Sequence, residues 1–130
     1  MFYNSTSIST KNWIIHIEKG IKKNYSDLYT DDFFEKNKGG NFYFASTKSL
    51  YRHSDVEFSD GDYILFGKET KGLDEALLKN NKDKCIRIPM IDGARSLNLS
   101  NSVAIVIYEA LRQNDYFNLE TKGSLTKYDW

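Results

Sequence analysis

The apolar residues of this chain fall in short blocks separated by polar and glycine-bearing stretches. "NWIIHI" (12–17) alternates enough to predict a strand. "SDLYTDDFFEKN" (26–37) places Leu28, Tyr29, Phe33 and Phe34 at roughly helical spacing, with Ser26 as an N-cap type and Gly39-Gly40 as a break. "NFYFAST" (41–47) predicts a strand, "SDGD" (59–62) a turn and "YILFG" (63–67) a second strand. "GLDEALLKN" (72–80) reads as one or two helical turns, and "CIRIPM" (85–90) as a strand closed by Pro89. Residues 91–97 form a loop, 98–114 a helix, and 115–130 a loosely ordered tail. Strands alternating with helices predict an α/β fold with a mostly parallel sheet.

The helix at 98–114 is unusual in composition. Val103-Ala104-Ile105-Val106-Ile107-Tyr108 is β-branched and aromatic, so local propensity favours a strand. Leu99, Val103, Val106 or Ile107, and Ala110 nevertheless share one helical face. Ile105 lies off that face and implies burial on a second side. Ser96 and Asn98 are good capping types at the helix mouth, and Ser100, Ser102 and Ala104 allow close approach of another backbone. One reading is a capped core helix; the other is a helix start whose free N–H groups, with the polar loop before them, hold a ligand.

Composition narrows the class. A chain of 130 residues, 40% of them apolar, is long enough to bury a core as a single domain. Its 18 basic and 18 acidic residues balance, so net charge argues neither for nor against a nucleic-acid partner. The single cysteine, Cys85, excludes an internal disulfide, fits a reducing compartment and reads as a small core residue. No apolar run approaches the roughly 20 residues of a membrane span, and "MFYNSTSIST" is not a signal peptide, so a soluble cytoplasmic protein is the expectation.

The candidate chemistry lies where strands end. "AST" (45–47), "FGKETKGL" (66–73) and "IPMIDGARSLN" (88–98) each follow a predicted strand. In a parallel sheet all three reach the carboxyl edge, where α/β proteins bind ligands. Gly67 and Gly72 suit close backbone approach or positive φ, although ordinary turn glycines look the same in sequence. Walker, dinucleotide and Cys/His metal patterns are absent, and His16 and His53 lie far apart.

"FGKETKGL", "IRIPM" and "RSLNLSNSVAIVIYEALRQ" together resemble the second and third signature motifs of the SPOUT-class RNA 2′-O-methyltransferases. The resemblance is closest to the TrmL (YibK) subfamily, which methylates the ribose of the tRNA wobble nucleotide, and covers about residues 41–114. It implies helices on both faces of the sheet and a C-terminal deep trefoil knot, with residues 90–114 passing through a loop near 66–73. It further implies S-adenosylmethionine as cofactor, the tRNA anticodon loop as substrate and a homodimer through the helix at 98–114. Carried over position by position, cofactor contacts are expected around Ala45, Gly67, Ile88 and Ser96. Glu69 and Asn98 match polar positions that brace the site, and Arg95 matches an arginine near cofactor and RNA.

The family begins with a loop of the form N-x-G-N-x-x-R, whose arginine helps activate the ribose hydroxyl, and nothing in residues 1–40 matches it. The expectation is therefore one domain over 1–130, N-terminally truncated: a divergent lead-in (1–40), a knotted cofactor-binding core (41–114) and a tail (115–130). The catalytic base is unassigned, with Arg95 and Asn98 as candidates for support. The leading reading is an S-adenosylmethionine-dependent tRNA ribose methyltransferase, with weak turnover expected of this chain. The alternatives are a catalytically deficient cofactor-binding or dimerisation module of the same family, and an unrelated α/β nucleotide-binding domain.

Overall fold

A computed structural model describes residues 12–17, 21–26, 31–68, 72–94 and 98–130. In chain order they form β1 (Asn12–Ile17), β2 (Ile21–Ser26), α1 (Asp31–Lys36), β3 (Phe42–Ala45), β4 (Tyr51–Arg52), β5 (Tyr63–Phe66), α2 (Glu75–Asn80), a short 3-10 turn (Lys82–Lys84), β6 (Cys85–Arg87) and α3 (Leu99–Gln113). One sheet runs β2-β1-β5-β3-β6-β4.

The sheet is mixed. β3 pairs parallel with β5 and with β6, and β4 pairs parallel with β6. β1, however, runs antiparallel to both β2 and β5, which corrects the expectation of a mostly parallel sheet. Ile17 pairs with Ile21 across a connection too short for a parallel crossover, so β1 and β2 must be antiparallel. The turn before β5 docks the end of β1: Ile17 N donates to Asp62 O at 2.8 Å, and Gly61 N to Ile17 O at 2.5 Å.

β2 corrects a second expectation. Ser26, expected at a helix start, pairs with Asn12 in β2, and α1 is Asp31–Lys36; Leu28 and Tyr29 of the expected helix lie outside the described residues. "IKKNYS" lacks an apolar period, but an edge strand bonded on one side needs none, and lysine is common at such edges. α1 stops where the Asn37 side chain donates to Phe33 O at 2.8 Å and Gly39 turns the chain at φ +93°. β6 is also shorter than predicted, ending at Arg87.

Side chains of successive strand residues enter two separate cores, as the two-residue strand period requires. Trp13, Ile15, Tyr43, Ile64, Phe66 and Ile86 pack with α3. Ile14, Phe44, Leu65 and Cys85 pack on the other face with Leu73, Leu78 and the α1 phenylalanines. Helices thus cover both faces. Cys85 is a buried core residue whose thiol points to Leu78 O and Asn81 O, and burial raises its pKa.

α3 resolves the conflict between propensity and period. Leu99, Val103, Val106, Ile107, Ala110 and Leu111 are buried along it. Placing a Val or Ile in a helix costs about 0.5 kcal/mol relative to Ala, whereas burying its side chain contributes about 1.5–3 kcal/mol, so burial wins. Asn98 is the N-cap, its side chain accepting from Ser100 N at 2.9 Å and Asn101 N at 3.4 Å.

The first residues after α3 pack back on the core, while 120–130 are exposed and form no helix or strand. Gln113 accepts from Phe58 N and donates to Val56 O, while Asn114 donates to Phe58 O and Ala110 O. Asp115, Tyr116 and Phe117 then take φ of 52°, 57° and 49°, a left-handed turn that returns Tyr116, Phe117 and Leu119 to the α3-side core. For most L-residues this conformation costs about 1–2 kcal/mol each. Asp115 is exposed, so Asp115→Gly removes strain without removing packing. Its greater freedom in the unfolded chain offsets part of that gain. Urea unfolding should show Asp115→Gly to be more stable by up to about 1 kcal/mol.

Candidate functional site

Because β5, β3 and β6 are adjacent and parallel, their carboxyl ends emerge along one edge. The residues that follow line a cavity of about 310 Å³. Ala45, Ser46, Thr47 and Lys48 come from the end of β3, and Phe66, Gly67 and Lys68 from the end of β5. Ile86, Arg87, Ile88 and Met90 come from β6 and its loop. Leu99, Ser102 and Val106 of α3 close the floor, and Gly72 with Leu73 completes one wall. The volume lies at the small end of the ~300–1,000 Å³ range of small-molecule sites.

Each loop is held. Ser46 N donates to Ile86 O at 2.9 Å, so the β3–β6 ladder continues one residue into the cavity wall. The Arg87 guanidinium donates to Thr47 O at 3.0 Å. Lys48 forms an ion pair with Glu75 at the start of α2 and thereby holds the Glu75 carboxyl below the usual range, chiefly through the hydrogen bond. The β5 loop doubles back on itself, with Gly72 N donating to Lys68 O at 2.8 Å and Gly72 at φ +76°. Gly67 lies against that return segment: a Cβ there would stand 2.3 Å from Gly72 C and 2.4 Å from Leu73 N.

Among the described residues the cavity lining carries Lys48, Lys68 and Arg87 and no acidic side chain. The remainder is apolar or small and polar. Such a chamber suits a ligand held by backbone groups and apolar walls. No group of three or more His, Cys, Asp and Glu among the described residues is arranged to hold a metal.

Of the residues singled out in the sequence, the structure brings Ala45, Gly67 and Ile88 together in the cavity wall. Asn98 is exposed at the α3 N-cap with its side chain engaged by backbone N–H groups, and it is not part of the lining. Glu69, Arg95 and Ser96 lie outside the described residues. His16 stacks on Tyr63 with ring centroids 4.1 Å apart, at the strand end remote from the cavity. His53 follows β4 and donates its N–H to Arg87 O, outside the lining. Sequence reasoning missed Lys48 and Arg87 as wall residues. The one available signal for Arg87 was a charge inside an otherwise apolar strand.

A sequence profile of the SpoU rRNA methylase family matches residues 19–108, more than half of the chain. The chain belongs to the SpoU methylase family. It is 44% identical over 85 residues to an Escherichia coli (strain K12) protein named tRNA (cytidine(34)-2′-O)-methyltransferase, covering 65% of this chain and 54% of that one. A Listeria monocytogenes (serotype 4b, strain F2365) protein provisionally given the same name is 50% identical over 99 residues, covering 74% and 58%. Among solved structures, a provisional RNA methyltransferase from Bacillus anthracis superposes with a TM-score of 0.65 at 44% identity, covering 71% of this chain and 60% of that one. A structure described as giving insight into 2-OH methylation of C/U34 on tRNA superposes at 0.59 and 35% identity, covering 65% and 55%. The chain spans 58% of the length of the Listeria relative. No helix among the described residues is long and apolar enough to cross a membrane.

Gly67 yields a direct check on this site. Gly67→Ala forces the return segment at Gly72-Leu73 to shift, because backbone atoms occupy the space a Cβ needs. Thermal and urea unfolding should show a loss of about 1–3 kcal/mol.

Proposed function

We propose that this chain carries the cofactor site of an S-adenosylmethionine-dependent tRNA ribose 2′-O-methyltransferase acting on the wobble nucleotide. The observation that carries the reading is the cavity: the described parts of the three strand-end loops, Ala45, Gly67 and Ile88 among them, line it together with Leu99, Ser102 and Val106 of α3. The site fits the cofactor in kind. Gly67 lets backbone come close, Ile88, Leu73, Leu99 and Val106 supply apolar walls, and Ser46 and Ser102 supply small hydroxyls.

In this reading Ala45, Gly67 and Ile88 hold S-adenosylmethionine, largely through backbone groups. Glu69 and Ser96 belong to the same loops, and Asn98 fixes the mouth of α3 by capping it. Bound there, the cofactor supplies an activated methyl group on a sulfonium. The protein's part is to position the ribose hydroxyl and to remove its proton as the new bond forms. Arg95, within the loop before α3, is placed by the motif for contact with RNA. The cations Lys48, Lys68 and Arg87 favour a polyanionic substrate beside the cavity.

The same reading includes the trefoil knot, with residues 90–114 passing through the loop near 66–73, in one domain of a cytoplasmic homodimer. The support for the dimer is the outer face of α3. Ile105 and Tyr108 are 40% and 42% exposed on the outer face of α3, between the exposed Asn101 and Arg112, so a monomer leaves them in water.

Three measurements test these statements. Calorimetric titration should give saturable one-to-one binding of S-adenosylmethionine and none of a plain mononucleotide; the reverse pattern would favour a general nucleotide-binding domain. Labelled methyl from the cofactor should enter tRNA at an unmodified wobble ribose, and label found at another position would sink the substrate assignment. For assembly, sedimentation should show a dimer at micromolar concentration and a shift towards monomer in Ile105→Glu; a monomeric unmodified chain refutes it.

A further inference from the structure

The cavity has two facing lips built on neighbouring strands. One is Ser46-Thr47-Lys48 beyond β3, the other Ile88 to Met90 beyond β6. β3 and β6 pair through Phe44 with Cys85 and Ala45 with Ile86, and Ser46 N adds a bond to Ile86 O. Past that point the strands end, and the next bond across the gap is made by a side chain. Arg87 Nη1 donates to Thr47 O at 3.0 Å.

Arg87 is well placed to set that gap. Its backbone is part of β6, in register with Arg52 of β4, and its carbonyl accepts from His53 N at 2.7 Å. The guanidinium therefore reaches from a bonded strand to a loop. The loop itself has one internal turn, with Ser49 N donating to Ser46 O and Lys48 N to Ser46 Oγ. Among the described residues its other tie is the exposed Lys48–Glu75 pair, which pulls towards α2 and which salt screens. A guanidinium on a carbonyl is likewise a charge-assisted bond, and it is the tie that joins this lip to the other one.

We infer that Arg87 is a positioning residue: by holding the Thr47 carbonyl it sets the width of the cavity for the nucleoside part of the cofactor. The inference deepens the cofactor reading above and rests on it. Arg87 acts here through the lip, without touching the reacting atoms. The competing role is direct contact between the guanidinium and the carboxylate of the cofactor's methionyl part.

The test uses the full chain, Arg87→Met and Arg87→Lys. Hydrogen exchange without ligand should show faster exchange at the amides of 46–49 in Arg87→Met, and partial recovery in Arg87→Lys. Calorimetry then compares S-adenosylmethionine with 5′-methylthioadenosine, which lacks the carboxylate. A positioning role weakens both ligands, by about tenfold for Arg87→Met and less for Arg87→Lys. Loss confined to S-adenosylmethionine means direct contact with the carboxylate and overturns the inference, as does unchanged affinity for both. Unchanged exchange at 46–49 overturns the pin itself, whatever the ligands do. If the unmodified chain binds neither ligand, the cofactor reading fails and the inference falls with it, even where exchange shows that the pin is real. Thermal melts of each variant identify an unfolded protein, and Arg87→Lys, which keeps the charge, then decides.

Discussion

The parallel pairing of β3 with both β5 and β6 is the constraint on which the rest of this structure depends. β3 is hydrogen-bonded on both sides, and Tyr43 and Phe44 are buried on opposite faces. Alternate residues along it enter the two cores, so both of its faces are covered. Since its neighbours run the same way, three loops emerge at one edge. The cavity follows from that shared direction. Its wall residues come from chain positions 45 to 106, which only a parallel arrangement brings within one small volume.

Packing on the two faces has different consequences. On one face α3 supplies both core and cavity: Val103 and Ile107 are buried, while Leu99, Ser102 and Val106 face the chamber. The β-branched run that weakens an isolated helix therefore serves a helix packed on the sheet along one side and lining the cavity, with Ile105 left exposed. The clamps at Gln113 and Asn114 and the left-handed turn at 115–117 fix its far end. On the other face α1 and α2 are short and cover less. There Phe33, Phe34 and Phe42 meet edge-on and pack against the second core. Mixed direction enters only at β1. Its residues 12–17 precede the family match at 19–108, and its side chains nonetheless reach both cores.

The walls of the cavity depend on close backbone approach more than on charged side chains. Gly67 against Gly72 and Leu73 is the tightest such contact, and it explains why that loop carries two glycines with different duties. One permits contact and the other permits positive φ. Among the described residues the ties that cross between loops are few. Ser46 to Ile86 belongs to the sheet, Arg87 to Thr47 is a side-chain brace, and Lys48 with Glu75 is a surface ion pair.

What the sequence determined by itself is local or is carried by a motif. The strands at 12–17, 42–45 and 63–66 and the helix at 99–113 were legible because their apolar residues are numerous and periodic. That Ala45, Gly67 and Ile88 line one cavity was legible because motif order and strand ends pointed to the same loops. The edge strand β2 was not, since a strand bonded along one side needs no apolar period. The direction of β1 was not, since twofold alternation is the same for parallel and antiparallel pairing. Nor were Lys48 and Arg87, because a charge in sequence looks like any other surface charge until a neighbouring loop lies 3.0 Å away. Sheet order, strand direction and long-range ties of this kind join residues about forty positions apart, and no local pattern records them. Tertiary structure decides them, because only the competition among complete packings selects which edges meet.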